Sequence, residues 1–145
     1  MCDLEILEYD LTICKLRGSV FADPARPGAE NKPPADAPGL LSALTGPDGF
    51  FILQKTPDEV SLVCETKYAP PCAEAAEAGW KAFRVAGVLD FGLIGILAKI
   101  TAVLAEAGIG VFAASTYNTD YILMKAEAFD CGLEALRRNG YNVMG

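Results

Sequence analysis

The sequence predicts an α+β protein made of two small antiparallel units, the first incomplete, and three observations predict it. From Trp80 to Val143 the apolar residues repeat in the order strand, helix, strand, strand, helix, strand. Between Leu11 and Glu65 lie three further strand-like runs. The chain has 145 residues, 52% of them hydrophobic and 21% charged, enough for a core in one ordinary domain or two very small ones.

In chain order, Leu11 to Leu16 alternates with β-branched residues and predicts a strand. Residues 21 to 39 hold five prolines and two glycines, which interrupt any period and predict a solvated loop. Leu40 to Leu44 has the composition of a short helical turn. Gly49 to Lys55 and Val60 to Glu65 flank Thr56-Pro57-Asp58-Glu59, where proline presets the corner and aspartate bonds its own backbone, so a hairpin is expected. Residues 71 to 79 place Pro71 where a helix can begin and Gly79 where it can end, around alanine-rich material, and predict a short linking helix.

Trp80 to Val85 then alternates as a half-buried strand. Leu93, Ile96, Leu97, Ile100, Val103, Leu104 and Ala107 recur at helical intervals and give one apolar stripe, with Gly108 as its stop. Gly110 to Thr116 and Tyr121 to Lys125 form a second hairpin around Tyr117-Asn118-Thr119-Asp120. Phe129, Leu133 and Leu136 mark a helix ended by Asn139-Gly140, before a last small strand at residues 141 to 143. This β-α-β-β-α-β order is the ferredoxin-like split βαβ arrangement, one four-stranded antiparallel sheet with two helices on a single face. A doubly wound parallel fold would need more strand-helix alternation.

Composition excludes several functions. A net charge of −7 repels phosphate backbones and anionic membrane surfaces, so neither nucleic acid nor membrane is an expected partner. With no histidine, Ser-His-Asp and Cys-His catalysis and histidine-containing metal sites are absent. The five cysteines are odd in number and never spaced as CxxC, so no metal site is expected and a reduced, cytoplasmic setting is. The acidic start lacks the basic region of a secretory signal. The most apolar stretch, residues 88 to 114, is broken by Asp90, Lys99, Glu106 and four glycines, which marks a core helix rather than a membrane span.

One constellation carries chemistry. Asp90-Phe91-Gly92 leads through Gly95 into a helix whose first free N–H groups suit a carboxylate, because glycines permit close approach and the helix dipole favours negative charge. Across from it, Asp120 suits an ammonium group, with Thr116 and Tyr117 as backbone or hydroxyl contacts. Those two charges are the charges of an α-amino acid. Taken alone, Asp90 is more often a helix cap and Asp120 more often a hairpin residue than a ligand contact. Gly92 and Gly95 make no phosphate loop, which needs further glycines or a Gly-Lys-Ser/Thr ending.

These runs resemble the ACT-domain family related to the CASTOR amino-acid sensors. The resemblance is carried by Leu89 to Leu97, Ala105 to Ile109, Ser115 to Leu123, the hairpin Phe50 to Cys64, and Gly79-Trp80. It covers most of residues 4 to 16 and 48 to 145 and fails across residues 21 to 39, where this chain carries an extra proline-rich stretch. It implies a tandem protein, with an N-terminal ACT-like unit at residues 1 to 70 and an ACT domain at 71 to 145. It further implies a free amino acid bound at an ACT–ACT interface, a homodimer, a regulated partner protein, no cofactor and no catalytic activity. Gly95, Ile96, Leu97, Thr116, Tyr117 and Asp120 fall on the family's ligand contacts. Arginine-sensing relatives place an acidic residue two positions before the helix glycine, where this chain has Leu93, which implies a neutral rather than a guanidinium side chain. A ligand-free interaction module and a small enzyme using Asp90 or Asp120 as a base are the alternatives.

Overall fold

The computed structural model describes residues 2–17, 49–90 and 92–145. The expected loop at 21–39, the helical turn at 40–44 and Phe91 lie outside the described residues. The described elements are β1 (Asp3–Leu16), β2 (Phe51–Lys55), β3 (Val60–Glu65), β4 (Ala75–Val85), α1 (Ile96–Glu106), β5 (Phe112–Ser115), β6 (Asp120–Lys125), α2 (Ala126–Arg138) and β7 (Asn142–Met144). Their contacts divide the chain into Met1–Tyr9 with Gly79–Gly145, and Asp10–Ala78. Both β1 and β4 contribute residues to each unit, so the division does not follow the chain order that a boundary at residue 70 supposes.

In the first of these units, β4, α1, β5, β6, α2 and β7 reproduce the β-α-β-β-α-β order. β4 pairs antiparallel with β6, with Phe83 opposite Ile122, and β6 pairs antiparallel with β5. The sheet departs from four antiparallel strands in one respect. The start of β1 enters between β4 and β7, pairing in parallel with β7 through Leu4 and Val143. It is held there because Leu4 is fully buried and the Ala86 N–H donates to the Asp3 carbonyl at 2.9 Å. The strand is thus longer than the Leu11–Leu16 run, since Leu4 and Ile6 continue the alternation.

Both helices cover one sheet face. Ile100 and Leu104 of α1 and Phe129, Leu133 and Leu136 of α2 pack with Leu4, Phe83, Val85, Ile122 and Met124 in a single core. The approach of α2 is close: a Cβ on Gly132 would stand 2.5 Å from Met124 Sδ. Gly108 ends α1 with φ +73°, as its place after the apolar stripe predicts. Arg84 of β4 and Glu5 of β1 form an ion pair at 2.7 Å, and that hydrogen-bonded carboxylate raises the guanidinium pKa.

In the second unit the expected hairpin is present, β2 pairing with β3 and β3 with β1. Cys14, Leu16, Val60, Leu62 and Cys64 form its core. The hydrogen bond with Cys14 and then burial push the Cys64 thiol far above its ordinary pKa. The linking helix expected at 71 to 79 is absent. A 3-10 turn occupies Thr66–Tyr68, and β4 has already begun at Ala75. The Glu74 N–H donates to the Lys15 carbonyl at 2.8 Å, so pairing with β1 takes the alanines into a strand, and tertiary pairing overrides their helix propensity. Gly79, with φ +82°, is a left-handed residue inside β4 rather than a helix end.

Candidate functional site

The site grows from the way α1 begins. Gly95 takes φ +82° at the position before the helix, and no side chain caps the first turn. The N–H groups of Ile96, Leu97 and Ala98 therefore stand among the helix's unsatisfied donors, at the positive end of its dipole. Leu93 belongs to the preceding turn, not to the helix stripe, and is 56% exposed. Two bonds set that turn apart: the Asp90 carboxylate accepts the Gly92 N–H at 2.7 Å, and the Asp90 carbonyl accepts the Leu93 N–H at 3.0 Å. A left-handed Gly95 then redirects the chain into α1.

The opposite wall is the turn between β5 and β6. The Thr116 N–H donates to the Thr119 carbonyl at 2.8 Å, and the Thr116 hydroxyl accepts the Thr119 N–H at 3.3 Å. Thr119 is buried, its hydroxyl donating to the Val85 carbonyl at 2.6 Å. The Leu89 N–H reaches the Asn118 carbonyl at 2.7 Å, so the loop before α1 and the hairpin turn are clasped together. At the last paired position of the hairpin the Ser115 hydroxyl donates to Asp120 Oδ1 at 2.6 Å.

Between these walls lies an open cleft of about 610 Å³. Of the residues expected from the sequence, Asp90, Gly95, Ile96, Leu97, Thr116, Tyr117 and Asp120 line it; Gly92 does not, and Phe91 is outside the described residues. Leu89, Ala98, Thr101, Ser115, Asn118 and Thr119 line it too and were not expected there. Ser115 was within reach of sequence reasoning, because a hairpin turn of residues 116 to 119 makes Ser115 and Asp120 partners. Among the described residues the lining holds two carboxylates and no lysine or arginine. Among the described residues no group of three or more His, Cys, Asp or Glu is placed to hold a metal ion, and no helix is long and apolar enough to cross a membrane.

Residues 75–138, which include α1 and the β5–β6 turn, match the sequence profile of the ACT domain. That segment is similar to the ACT domain. Among curated proteins, this chain is 32% identical over 99 residues to the cytosolic arginine sensor for mTORC1 subunit 1 of Bos taurus, covering 61% of this chain and 30% of that protein. The human protein of the same name is 34% identical over 88 residues, covering 54% and 27%. The chain thus spans about a third of the length of these relatives.

Among solved structures, a protein of Agrobacterium tumefaciens superposes with a TM-score of 0.75 at 25% identity, covering 99% of this chain and 92% of that one. The regulatory subunit of aspartate kinase from Thermus thermophilus superposes with a TM-score of 0.59 at 14% identity, covering 93% and 95%, and shares the fold. The α+β, ferredoxin-like fold of the chain agrees with these neighbours.

Proposed function

We propose that this chain is a non-catalytic regulatory unit whose cleft binds a free amino acid. The observation that carries the reading is the juxtaposition of the uncapped start of α1 with Asp120 across one cleft, with no lysine or arginine among the described lining residues. The helix start accepts the ligand's α-carboxylate and Asp120 its α-ammonium. Gly95, Ile96 and Leu97 present the backbone, and Thr116 and Tyr117 flank the opposite end. Asp90 keeps one carboxylate oxygen on the Gly92 N–H, which gives it a structural task as well. The side chain that fits is neutral, since Leu89, Leu93 and Ile96 supply apolar lining. The arginine-sensor relatives and the ACT profile support an amino acid as the ligand class. The absence of histidine in the whole chain supports a binding role over catalysis.

The reading includes a homodimer in which a second ACT unit closes the cleft, and a cytoplasmic protein that passes the signal to a partner. Of the lining residues, Leu93 and Tyr117 are 56% and 81% exposed, and Val88 and Ile94, next in sequence to Leu89 and Leu93, are 74% and 92% exposed. Large apolar side chains gathered this way mark a surface that is covered in an assembly.

A thermal-shift panel of the twenty L-amino acids tests the ligand. A neutral amino acid at 100 times its dissociation constant should stabilise the protein by about 2.7 kcal/mol. No shift with any of them at millimolar concentration overturns the sensor reading and leaves the apolar rim as a protein-docking surface alone. Light scattering tests the dimer, which a particle of 15.4 kDa at micromolar concentration, with and without amino acid, would exclude.

A further inference from the structure

We infer that Ser115 is the positioning residue for Asp120, holding one carboxylate oxygen so that the other meets the ligand's ammonium group. This rests on the cleft being the amino-acid site. A serine hydroxyl has a single proton to donate. Here that proton goes to Asp120 Oδ1 at 2.6 Å, so Ser115 has no donor left for a ligand carboxylate. Its influence on a ligand therefore runs chiefly through Asp120. The carboxylate needs such a partner, because the terminal torsion of an aspartate is broad and nothing intrinsic selects one orientation.

The backbone around the pair is built to hold it. Ser115 and Asp120 are directly opposite each other in the β5–β6 ladder, next to the turn closed by the Thr116 N–H and the Thr119 carbonyl. The buried Thr119 anchors that turn on Val85, and the Asn118 carbonyl ties it to Leu89 at the foot of the other wall. The hydroxyl thus sits on a fixed strand end. Asp120 is half-buried and Ser115 exposed, so the strand pairing rather than exclusion of water holds the two side chains together. The chemical consequence is selectivity for a ligand that carries a free α-ammonium group.

Calorimetric titration on the full chain tests the inference. The probes are the twenty L-amino acids and, for the tightest binder, its analogue with hydrogen in place of the α-amino group. Ser115→Ala should weaken the amino acid by about 5- to 10-fold, the scale of one lost hydrogen bond, and leave the analogue's affinity unchanged. Ser115→Thr should restore binding, because it returns the hydroxyl. In an Asp120→Asn background, Ser115→Ala should add less than about a further twofold loss, since residues acting through one contact are not additive. Equal binding by Ser115→Ala and the unsubstituted chain overturns the inference. So does equal weakening of amino acid and analogue, or full additivity with Asp120→Asn; in all three cases the amino-acid site itself stands. Failure of all twenty amino acids to bind the unsubstituted chain removes site and inference together. Circular-dichroism melts of each variant confirm that the fold is kept.

Discussion

The hairpin turns at residues 56–59 and 116–119 share one local device and differ in what surrounds it. In each, the N–H of the leading threonine donates to the carbonyl three residues on, at 2.9 Å for Thr56 and 2.8 Å for Thr116. In each, the threonine hydroxyl accepts a backbone N–H from within the turn, that of Glu59 at 3.2 Å and that of Thr119 at 3.3 Å. The fourth residue differs: Glu59 is exposed, whereas Thr119 is buried and bonded to Val85. The flanking pair differs as well, Lys55 opposite Val60 in the first and Ser115 opposite Asp120 in the second. A threonine-led turn is therefore a folding element in both places. It becomes a wall of a cleft where a buried hydroxyl and the Leu89–Asn118 bond tie it to another segment.

Four tests, with seven substitutions, break or sharpen that contrast. The largest effect belongs to the flanking pair. Asp120→Asn keeps the turn chemistry and removes the charge, and should cost on the order of 2 to 5 kcal/mol of amino-acid affinity with the melting temperature nearly unchanged. Lys55→Ala should leave affinity alone; calorimetry on both variants reads the difference. An Asp120→Asn variant that binds as tightly as the unsubstituted chain would reduce the second turn to the role of the first.

The next effect is at the fourth position. Thr119→Val strips the buried Val85 carbonyl of its donor and should lower stability by about 2 kcal/mol in urea denaturation, while Glu59→Ala should stay within about 0.5 kcal/mol. Equal losses at the two positions would deny the tertiary anchoring of the second turn. Smaller again, Gly95→Ala forces a side chain into φ +82° and should cost about 1 kcal/mol of stability. It should weaken amino-acid binding too, because the start of α1 moves. The smallest effect tests what the turns share: Thr56→Ala and Thr116→Ala should each lose about 0.5 kcal/mol, and a clear inequality would show that the common device is not equivalent in the two settings.

Much of the molecule was legible because local periodicity reports which face of an element is buried. The spacing of Ile96, Ile100, Val103 and Leu104 located α1, and that of Phe129, Leu133 and Leu136 located α2. The Thr56-Pro57-Asp58-Glu59 turn and Gly108 followed from backbone preferences of single residues. In the site, the helix start and Asp120 were legible because each has a local chemical signature, and the cleft does bring them together. Leu93 was misplaced because it keeps the apolar spacing of α1 while the left-handed Gly95 removes it from the helix. Ser115 stands in the run that carries the resemblance but not among the expected contacts, because its bond is to a partner across the hairpin, not to its neighbours along the chain.

What the sequence determined by itself was the order of elements from β4 to β7, the acidic and histidine-free chemistry, and the residue types at the two ends of the cleft. Each depends on residues a few positions apart, where spacing and propensity act directly. Only the tertiary structure decided that β1 enters between β4 and β7, that Ala75 to Ala78 are strand, and that loop and hairpin meet at Leu89 and Asn118. Those outcomes are backbone pairings between distant segments. An N–H or carbonyl is the same group at nearly every residue, so its partner is chosen by which surfaces the folded chain can bury together, and no local pattern records that choice.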